Sequence, residues 1–457
     1  MMSNCAAIVL AAGDSYRMKS AMPHVMLKLL SKPMLQWVLT AARHSGIRNI
    51  AVISSRADNM VAEFVHGSCE LFVQSEPLGT ANAVMQAREF IKRYSGGNVL
   101  ILNGDAPLMD AETIRNALTS HINYGNDATV ISAKVEKPFG YGRIVRDKEG
   151  NFKKIVEEID AASNIKKIDE VSSGAYWFNA DALLESLEKL DPRKSGDYNL
   201  VDTIAWLVDN GFKVDTSFSA YPEIALGASD RNQLHELNHI ARRKIIEKHL
   251  DAGVDIPSFE SILIGPDVEI GMDTLILPGT ILRGKVKIGK NCVIGPNTLI
   301  VDSVVGDESE LNTVQCYNST VKRGASIGPF VHIRPNSVIG ENVHLGNFVE
   351  VKNSNIDVGT KVSHLTYVGD SDVGKRVNFG CGTVTVNYTG KAKFRTIIED
   401  DAFIGCNTNL IAPVRVGMGA YTAAGSTITD DVPADALGIA RARQVNKLGW
   451  RSKRDSD

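Results

Sequence analysis

The stretch IGPDVEIGMDTLILPGTILRGKVKIGKNCVIGPNTLI, residues 264–300, decides the fold of the second half of the chain. Every sixth residue is aliphatic: Ile264, Ile270, Ile276, Leu282, Ile288, Ile294 and Ile300. After a phase shift the period returns as Ile327, Ile333, Ile339, Leu345 and Val351, and again as Ile404, Leu410, Val416, Thr422 and Ile428. A six-residue period predicts a parallel β-helix with three short strands per coil. The aliphatic residue points inward, and each coil buries its face only by stacking on a neighbour. Glycine often follows it, as at Gly265, Gly271, Gly289, Gly340 and Gly405. Gly or Asn is expected at corners that need unusual φ and ψ. The phase breaks read as loops, the clearest being the polar, basic VNYTGKAKFR at 386–395.

Outside this region the composition changes. Of 39 glycines, 16 fall in residues 1–255 and 23 in residues 256–457. The enriched half and the ordinary half imply two architectures, and 457 residues exceed what one hydrophobic core usually supports. Hydrophobic content of 44% and charged content of 23% exclude a disordered chain. Net charge is −3, so no excess charge favours nucleic acid or an anionic membrane. No apolar run reaches the roughly 18–20 residues that span a bilayer. The N-terminal MMSNCAAIVLAAGDS lacks a basic n-region and reads as a buried strand ending in a Gly turn, not a signal peptide. Six cysteines without a C-x-x-C pair read as free thiols in a reducing cytoplasm.

The first half alternates apolar runs with helical patterns. Residues 6–12, 49–55 and 98–105 read as strands, and 34–46 as a helix with a Gly stop. Residues 71–94 read as strand, loop and helix. This order predicts a mostly parallel sheet with helices on both faces. Ligands bind such sheets outside the carboxyl ends of the strands. Two features lie there: the loop at 13–20 and Asp105. A small-residue turn lets backbone N–H groups approach a phosphate, and Arg17 can neutralise phosphate charge. Asp105 suits Mg²⁺, which prefers carboxylate and phosphate oxygens. Residues 229–253 predict a linker helix with a Ser/Asp start and a Gly stop. His235, His239 and His249 on it read as solvated.

The order Leu10-Ala11-Ala12-Gly13, Arg17-Met18, Pro23, Leu78-Gly79-Thr80-Ala81, Gly104-Asp105, Gly140-Tyr141-Gly142-Arg143 and Ile155-Val156-Glu157 resembles the sugar-phosphate nucleotidyltransferases. Within them it is similar to the bacterial bifunctional N-acetylglucosamine-1-phosphate uridylyltransferase/glucosamine-1-phosphate acetyltransferase family, over essentially the whole chain. The resemblance implies that Ala11, Ala12, Gly13, Gln74, Gly79 and Thr80 hold the uridine nucleotide. It implies that Gly140, Glu157 and Ser172 contact the sugar and that Asp105 binds Mg²⁺. The sugar phosphate would attack the α-phosphorus of UTP and release pyrophosphate, a reaction that depends on positioning and charge stabilisation.

The chain departs from that pattern at several places. The family's G-x-G-T-R-M reads Gly13-Asp14-Ser15-Tyr16-Arg17-Met18, with acidic Asp14 expected beside the triphosphate. The family's Pro-Lys reads Pro23-His24, replacing a fixed charge by a group that titrates in the physiological range. The second metal-ligand position, an Asn in the family, is Ser229, with Asp230 next to it. Asn-Thr-Gly reads Ser172-Ser173-Gly174. Loss of one preorganised donor typically costs about 10²–10³ in rate. Two readings follow: a uridylyltransferase with altered contacts, or a retained fold without that activity.

The second half resembles the hexapeptide acyltransferases. Arg334-Pro335, residues 346–352, His364-Leu365-Thr366-Tyr367, Asn378, Asn387-Tyr388 and Lys393-Phe394 are similar to the acetyltransferase half of the bifunctional family. A neutral amine must attack the acetyl-CoA thioester, and His364 is the candidate general base. Arg334, Lys352 and Lys393 suit the sugar phosphate as fork and point charges, with Tyr367 and Asn378 on its hydroxyls. Asn387 is read as orienting His364 or the carbonyl. The resemblance places Cys381, Asn387, Tyr388, Cys406, Ala424 and Arg441 along acetyl-CoA, and implies a left-handed helix and a homotrimer.

The expected organisation is a Rossmann-like nucleotidyltransferase domain at 1–228, a linker helix at 229–256 and a left-handed β-helix acetyltransferase at 257–457. Acetyl transfer to glucosamine 1-phosphate, followed by uridylyl transfer from UTP, would supply envelope polymers such as peptidoglycan. The alternatives are a nucleotidyltransferase of another sugar with the β-helix as scaffold, an acetyltransferase with a silent first domain, or a non-catalytic regulatory protein.

Overall fold

A computed structural model describes residues 4–13, 15–56 and 59–454, except the side chains of 452 and 453. Asp14 therefore lies outside the described residues. The chain divides into two compact units, Met1–Ala241 and Arg242–Asp457. Among the described residues no helix is long and apolar enough to cross a membrane. Among the described residues no disulfide links any of the six cysteines.

The first unit is built on a sheet whose strands lie in the order Val214–Ser219, Ala128–Lys134, Glu170–Asn179, Asn98–Asn103, Cys5–Ala11, Asn49–Ser55, Glu70–Gln74. Cys5–Ala11 pairs in parallel with both neighbours. Both faces of this strand are covered, which is why it reads as a continuous apolar run. Ala7 and Val9 enter one core, which also holds Leu35, Val38 and Ile114; Ala6 and Ile8 enter the other, with Val84 and Phe90. The sheet is less parallel than the sequence suggests. Glu170–Asn179 runs antiparallel to both Asn98–Asn103 and Ala128–Lys134. A strand buried on two faces carries the same apolar pattern in either direction, so direction is not written in it. The helical stretch after Gly79 is also broken, into Thr80–Met85 and Arg88–Lys92.

The linker helix runs Arg231–Asp251, and Asp230 Oδ1 accepts the Gln233 backbone N–H at 2.9 Å as its cap. His235 and His239 lie on it with their Nε2 atoms 3.0 Å apart, both exposed. His249 is not solvated as the sequence reading expected. It is 6% exposed, and burial followed by Lys248 lowers its pKa.

The second unit is a parallel β-helix of three sheets, of ten, nine and ten strands. Its interior ladders are those the period predicts. Ile264 pairs with Leu282 and Leu282 with Ile300. Ile276 pairs with Ile294, Ile294 with Leu311 and Leu311 with Ile327. Between Ile300 and Ile327 the phase break is not a loop. Val305, Leu311, Cys316 and Val321 continue the buried stack with some turns one residue shorter. The segment 386–395 is an excursion, closed by a Tyr388–Lys393 bridge.

Some of the glycines after the aliphatic residues have a different cause from the one expected, while Gly295 and Gly328 have the positive φ that was expected. Gly271 and Gly340 lack positive φ; a Cβ at either would lie 2.7 Å from the backbone of the next coil. Coil-to-coil approach excludes a side chain there. The left-handed corners are held by Gly, as at Gly279, Gly295 and Gly328, by Asn, as at Asn297 and Asn336, and also by other residues, among them Thr313, Phe330, Phe348 and Leu365.

Candidate functional sites

In the first unit, a cleft of about 570 Å³ opens at the carboxyl ends of Cys5–Ala11 and Asn98–Asn103. Arg17, Thr80, Asp105, Gly140, Glu157, Ser172 and Ser229 all line it. Ala11 ends the first strand, with Ala12 and Gly13 in the turn beyond it. Gln74 stands at the end of its own strand, and its Nε2 donates to the Gly79 carbonyl at 3.0 Å and to Asn82 at 2.9 Å. The Thr80 hydroxyl accepts the Leu200 backbone N–H at 2.9 Å. These bonds hold the loop at 75–79 closed, and Gly79 has the left-handed φ of +93° that the turn needs.

Burial pushes the Glu157 carboxyl above its ordinary range, against the pull of Arg193. The Ser172 hydroxyl lies 3.1 Å from the Tyr176 hydroxyl, which burial pushes up to about 12. Two residues brace this wall: Arg143, quoted within a motif but given no role, and Glu158, which the sequence reading did not single out. Buried Arg143 donates to Glu158 at 2.5 Å and also binds the Tyr141 carbonyl. Glu158 accepts the Gly140 backbone N–H at 3.3 Å. Glu158 directly follows the quoted Ile155-Val156-Glu157, which was the available signal.

Asp105 and Ser229 face the same cleft, and the Ala228 backbone N–H donates to the Asp105 carbonyl at 3.0 Å. His24 is 6% exposed, with Nε2 3.6 Å from Asp105 Oδ2. Its backbone N–H donates to the Ser15 hydroxyl at 2.8 Å, so Ser15 holds the loop that carries His24. Among the described residues no group of three or more His, Cys, Asp or Glu side chains is gathered to hold a metal ion.

In the second unit, one corner collects several of the predicted residues. Asn347 pairs in register with His364, and the backbone bond Gly382 N–H to His364 carbonyl continues the step to Cys381. Asn407 N–H to Cys381 carbonyl and Gly425 N–H to Cys406 carbonyl extend it to Cys406 and Ala424. His364, Cys381, Cys406 and Ala424 thus form one ladder up the corner. Arg441 is exposed, and its Cδ lies 3.8 Å from where a Gly425 Cβ would stand.

His364 Nδ1 lies 2.7 Å from Asn347 Oδ1. An amide oxygen only accepts, so Nδ1 donates and Nε2 keeps its lone pair. Asn387 does not orient His364. Its amide donates to Asp370 Oδ2, and Asn353 donates to Asp370 Oδ1 at 2.5 Å. Lys352 Nζ completes the set at 3.2 Å. Burial alone would raise the Asp370 carboxyl, but the bonds from Asn353, Asn387 and Lys352 hold it below the ordinary range. Lys393 lies exposed in the excursion, at its closing bridge with Tyr388. Arg334 Nη1 donates to Glu350 at 3.0 Å, and Glu350 pairs in register with Tyr367. Asn378 lies on the sheet that carries His364, opposite Lys361. The Tyr388 hydroxyl donates to the Gly390 carbonyl at 2.7 Å in the exposed excursion.

A strand-end cleft in one unit and a polar corner on a hexapeptide coil in the other fit a two-part transferase. Residues 6–221 match the nucleotidyl transferase family, and 267–302 and 318–353 match the bacterial transferase hexapeptide repeats. The chain is 47% identical over 99% of both chains to the bifunctional protein GlmU of Caldanaerobacter subterraneus. It is 44% identical to those of Thermoanaerobacter pseudethanolicus and Clostridioides difficile, over 99% of this chain and 99% and 98% of theirs. The chain belongs to the family of the bifunctional protein GlmU.

Proposed function

We propose that the second unit acetylates glucosamine 1-phosphate with acetyl-CoA, and that the first transfers the uridylyl group of UTP to the product. UDP-N-acetylglucosamine and pyrophosphate result, and the nucleotide sugar supplies peptidoglycan and other envelope polymers. The observation that carries this reading is the match to bifunctional relatives across 99% of both chains, which covers both units at once. It favours two activities over a scaffold, a silent first domain or a regulator. The functional boundaries proposed are 1–228, 229–256 and 257–457.

For acetyl transfer, Asn347 fixes the His364 ring so that Nε2 takes a proton from the substrate ammonium. The neutral amine attacks the thioester carbonyl, the C–S bond breaks, and the second proton given up by the nitrogen goes to the departing sulfur, so that the coenzyme leaves as its thiol. Arg334, Lys352 and Lys393 bind the sugar phosphate, while Tyr367 and Asn378 take its hydroxyls. Cys381, Asn387, Tyr388, Cys406, Ala424 and Arg441 line acetyl-CoA. The corner ladder supports this assignment, because it puts the base and three coenzyme positions in line. A homotrimer in the cytoplasm is part of the proposal, supported by the hexapeptide repeats and the free thiols.

For uridylyl transfer, Ala11, Ala12, Gly13, Gln74, Gly79 and Thr80 hold the nucleotide, and Gly140, Glu157 and Ser172 hold the sugar. Arg17 stabilises charge on the phosphates. Mg²⁺ commonly needs one or two carboxylates beside substrate phosphates. Asp105 supplies one at the cleft, and the Ser229 hydroxyl is the second candidate. When bound, the cation neutralises charge on the reacting phosphates. The test is a separate assay of each half-reaction. Pyrophosphate release from UTP and N-acetylglucosamine 1-phosphate, together with acetyl transfer to glucosamine 1-phosphate, is the expected result. Loss of either would remove that half of the reading.

A further inference from the structure

Two thiols stand one above the other on the corner ladder of the second unit. Gly380 N–H donates to the Ile404 carbonyl and Asn407 N–H to the Cys381 carbonyl, each at 2.7 Å, so Cys381 and Cys406 hold the same position of successive coils. Each is followed by a left-handed residue, Gly382 at φ +76° and Asn407 at φ +53°. Stacked turns of one shape send their side chains the same way. Adjacent coils lie about 4.7–4.9 Å apart, inside the roughly 4.4–6.8 Å between Cα atoms that a disulfide spans.

The pair also differs from the other cysteines in access. Cys5, Cys292 and Cys316 are buried, and burial raises each thiol above its ordinary range. Cys69 is half-buried, and Arg43 donates to its Sγ at 3.3 Å. Cys381 is half-buried and Cys406 exposed. A thiol reacts where a reagent reaches it, so Cys406 is the first of the pair to be met.

We propose that Cys381 and Cys406 form a dithiol modification site, which a low-molecular-weight disulfide, above all the oxidised coenzyme, converts into a reversible disulfide across the coenzyme face. This rests on the proposed acetyl-transfer reading of the same corner. The Cys406 thiolate attacks one sulfur of the reagent RS–SR. That S–S bond breaks, a mixed disulfide forms, and the released RS⁻ takes up the proton that Cys406 gave up. The Cys381 thiolate then attacks the Cys406 sulfur, and the second RS⁻ leaves and takes the Cys381 proton. Two protein thiols are oxidised, and one external disulfide is reduced to two thiols. An exposed disulfide is the labile kind, so a thiol reductant reopens it. The bridge lies between His364 and Ala424 on the ladder, in the path proposed for acetyl-CoA, and acetyl transfer stops while it is present.

The experiment treats the full chain with coenzyme A disulfide or with hydroxyethyl disulfide, and reads intact mass, peptide map and both half-reactions. The expected product is two hydrogens lighter and carries a cross-link between Cys381 and Cys406. It loses acetyl transfer, keeps uridylyl transfer and recovers with dithiothreitol. Bridging by coenzyme A disulfide is expected to be at least about tenfold faster than by hydroxyethyl disulfide, because the site seats that reagent. Cys381→Ala is expected to stop at a mixed disulfide on Cys406, and Cys406→Ala to form no bridge. A wild type without this cross-link overturns the inference, and so does one that stops at the mixed disulfide or keeps acetyl transfer undiminished when cross-linked. Equal rates with the two reagents remove the coenzyme as the source and leave the thiol site. A chain that cross-links but transfers no acetyl group even when reduced removes the acetyl-transfer reading and leaves the thiol site.

Discussion

His364 Nδ1 lies 2.7 Å from Asn347 Oδ1, one coil away on the same corner. The bond selects the tautomer in which Nε2 is free to accept a proton. Replacing Asn347 with Ala removes that selection but leaves the imidazole. The acetyl-transfer kcat is expected to fall about tenfold, with KM for glucosamine 1-phosphate within twofold. His364→Ala is expected to cost more, about 10²–10⁴, the usual share of a general base. Steady-state kinetics of both variants check the order.

Asp370 is the centre of a buried polar set, and its carboxyl is held low against burial. A carboxyl depressed in the folded state stabilises it above the ordinary carboxylate range. That contribution is lost as pH falls through the depressed folded value. Lys352, held high by Asp370 against burial, contributes below the ordinary lysine range and loses it as pH rises through its folded value. Asp370→Asn is expected to remove the acid-side loss. It should also cost about 3 kcal/mol near neutral pH by leaving Lys352 unpaired. Denaturant titrations between acid and neutral pH read both effects.

A Cβ at residue 340 would lie 2.7 Å from the Ile356 carbonyl oxygen of the next coil. Gly340→Ala is therefore expected to destabilise the second unit by about 1–3 kcal/mol, the range for overpacking. Gly13→Ala presses instead on the His24 ring. It should impair uridylyl transfer while leaving acetyl transfer within twofold. Comparing thermal unfolding with the two assays separates these outcomes.

Arg17 is exposed and lines the cleft. Arg17→Ala is expected to lower kcat for uridylyl transfer by about 10²–10³, the usual cost of one electrostatic donor. Melting temperature should stay within about a degree. Pyrophosphate release, measured beside a thermal melt, checks this.

Much of this was legible in the chain. The six-residue period gave the coils because inward aliphatics must repeat wherever coils stack. The apolar runs at 6–12 and 98–105 gave the central strands because both faces are covered. What stayed hidden was of two kinds. The direction of Glu170–Asn179 is absent from a pattern that looks alike either way. Asn347 lies within the quoted stretch 346–352 but was given no role there, and Asp370 lies in no quoted motif. They lie one coil from the residues they hold: 347 is 17 residues before 364, and 370 is 17 before 387. Looking one coil length from each candidate would have found them. The buried His249 was missed because a helix with charges all round hides which histidine meets the next element.

The central claim is that one chain carries two separate chemistries in two units. The most direct measurement assays both half-reactions on wild type, Asp105→Asn and His364→Ala, each as the full chain. The expected result is both activities in the wild type, loss of pyrophosphate release alone in Asp105→Asn, and loss of acetyl transfer alone in His364→Ala. A wild type that releases no pyrophosphate from UTP and N-acetylglucosamine 1-phosphate, or acetyl transfer undiminished in His364→Ala, would contradict it.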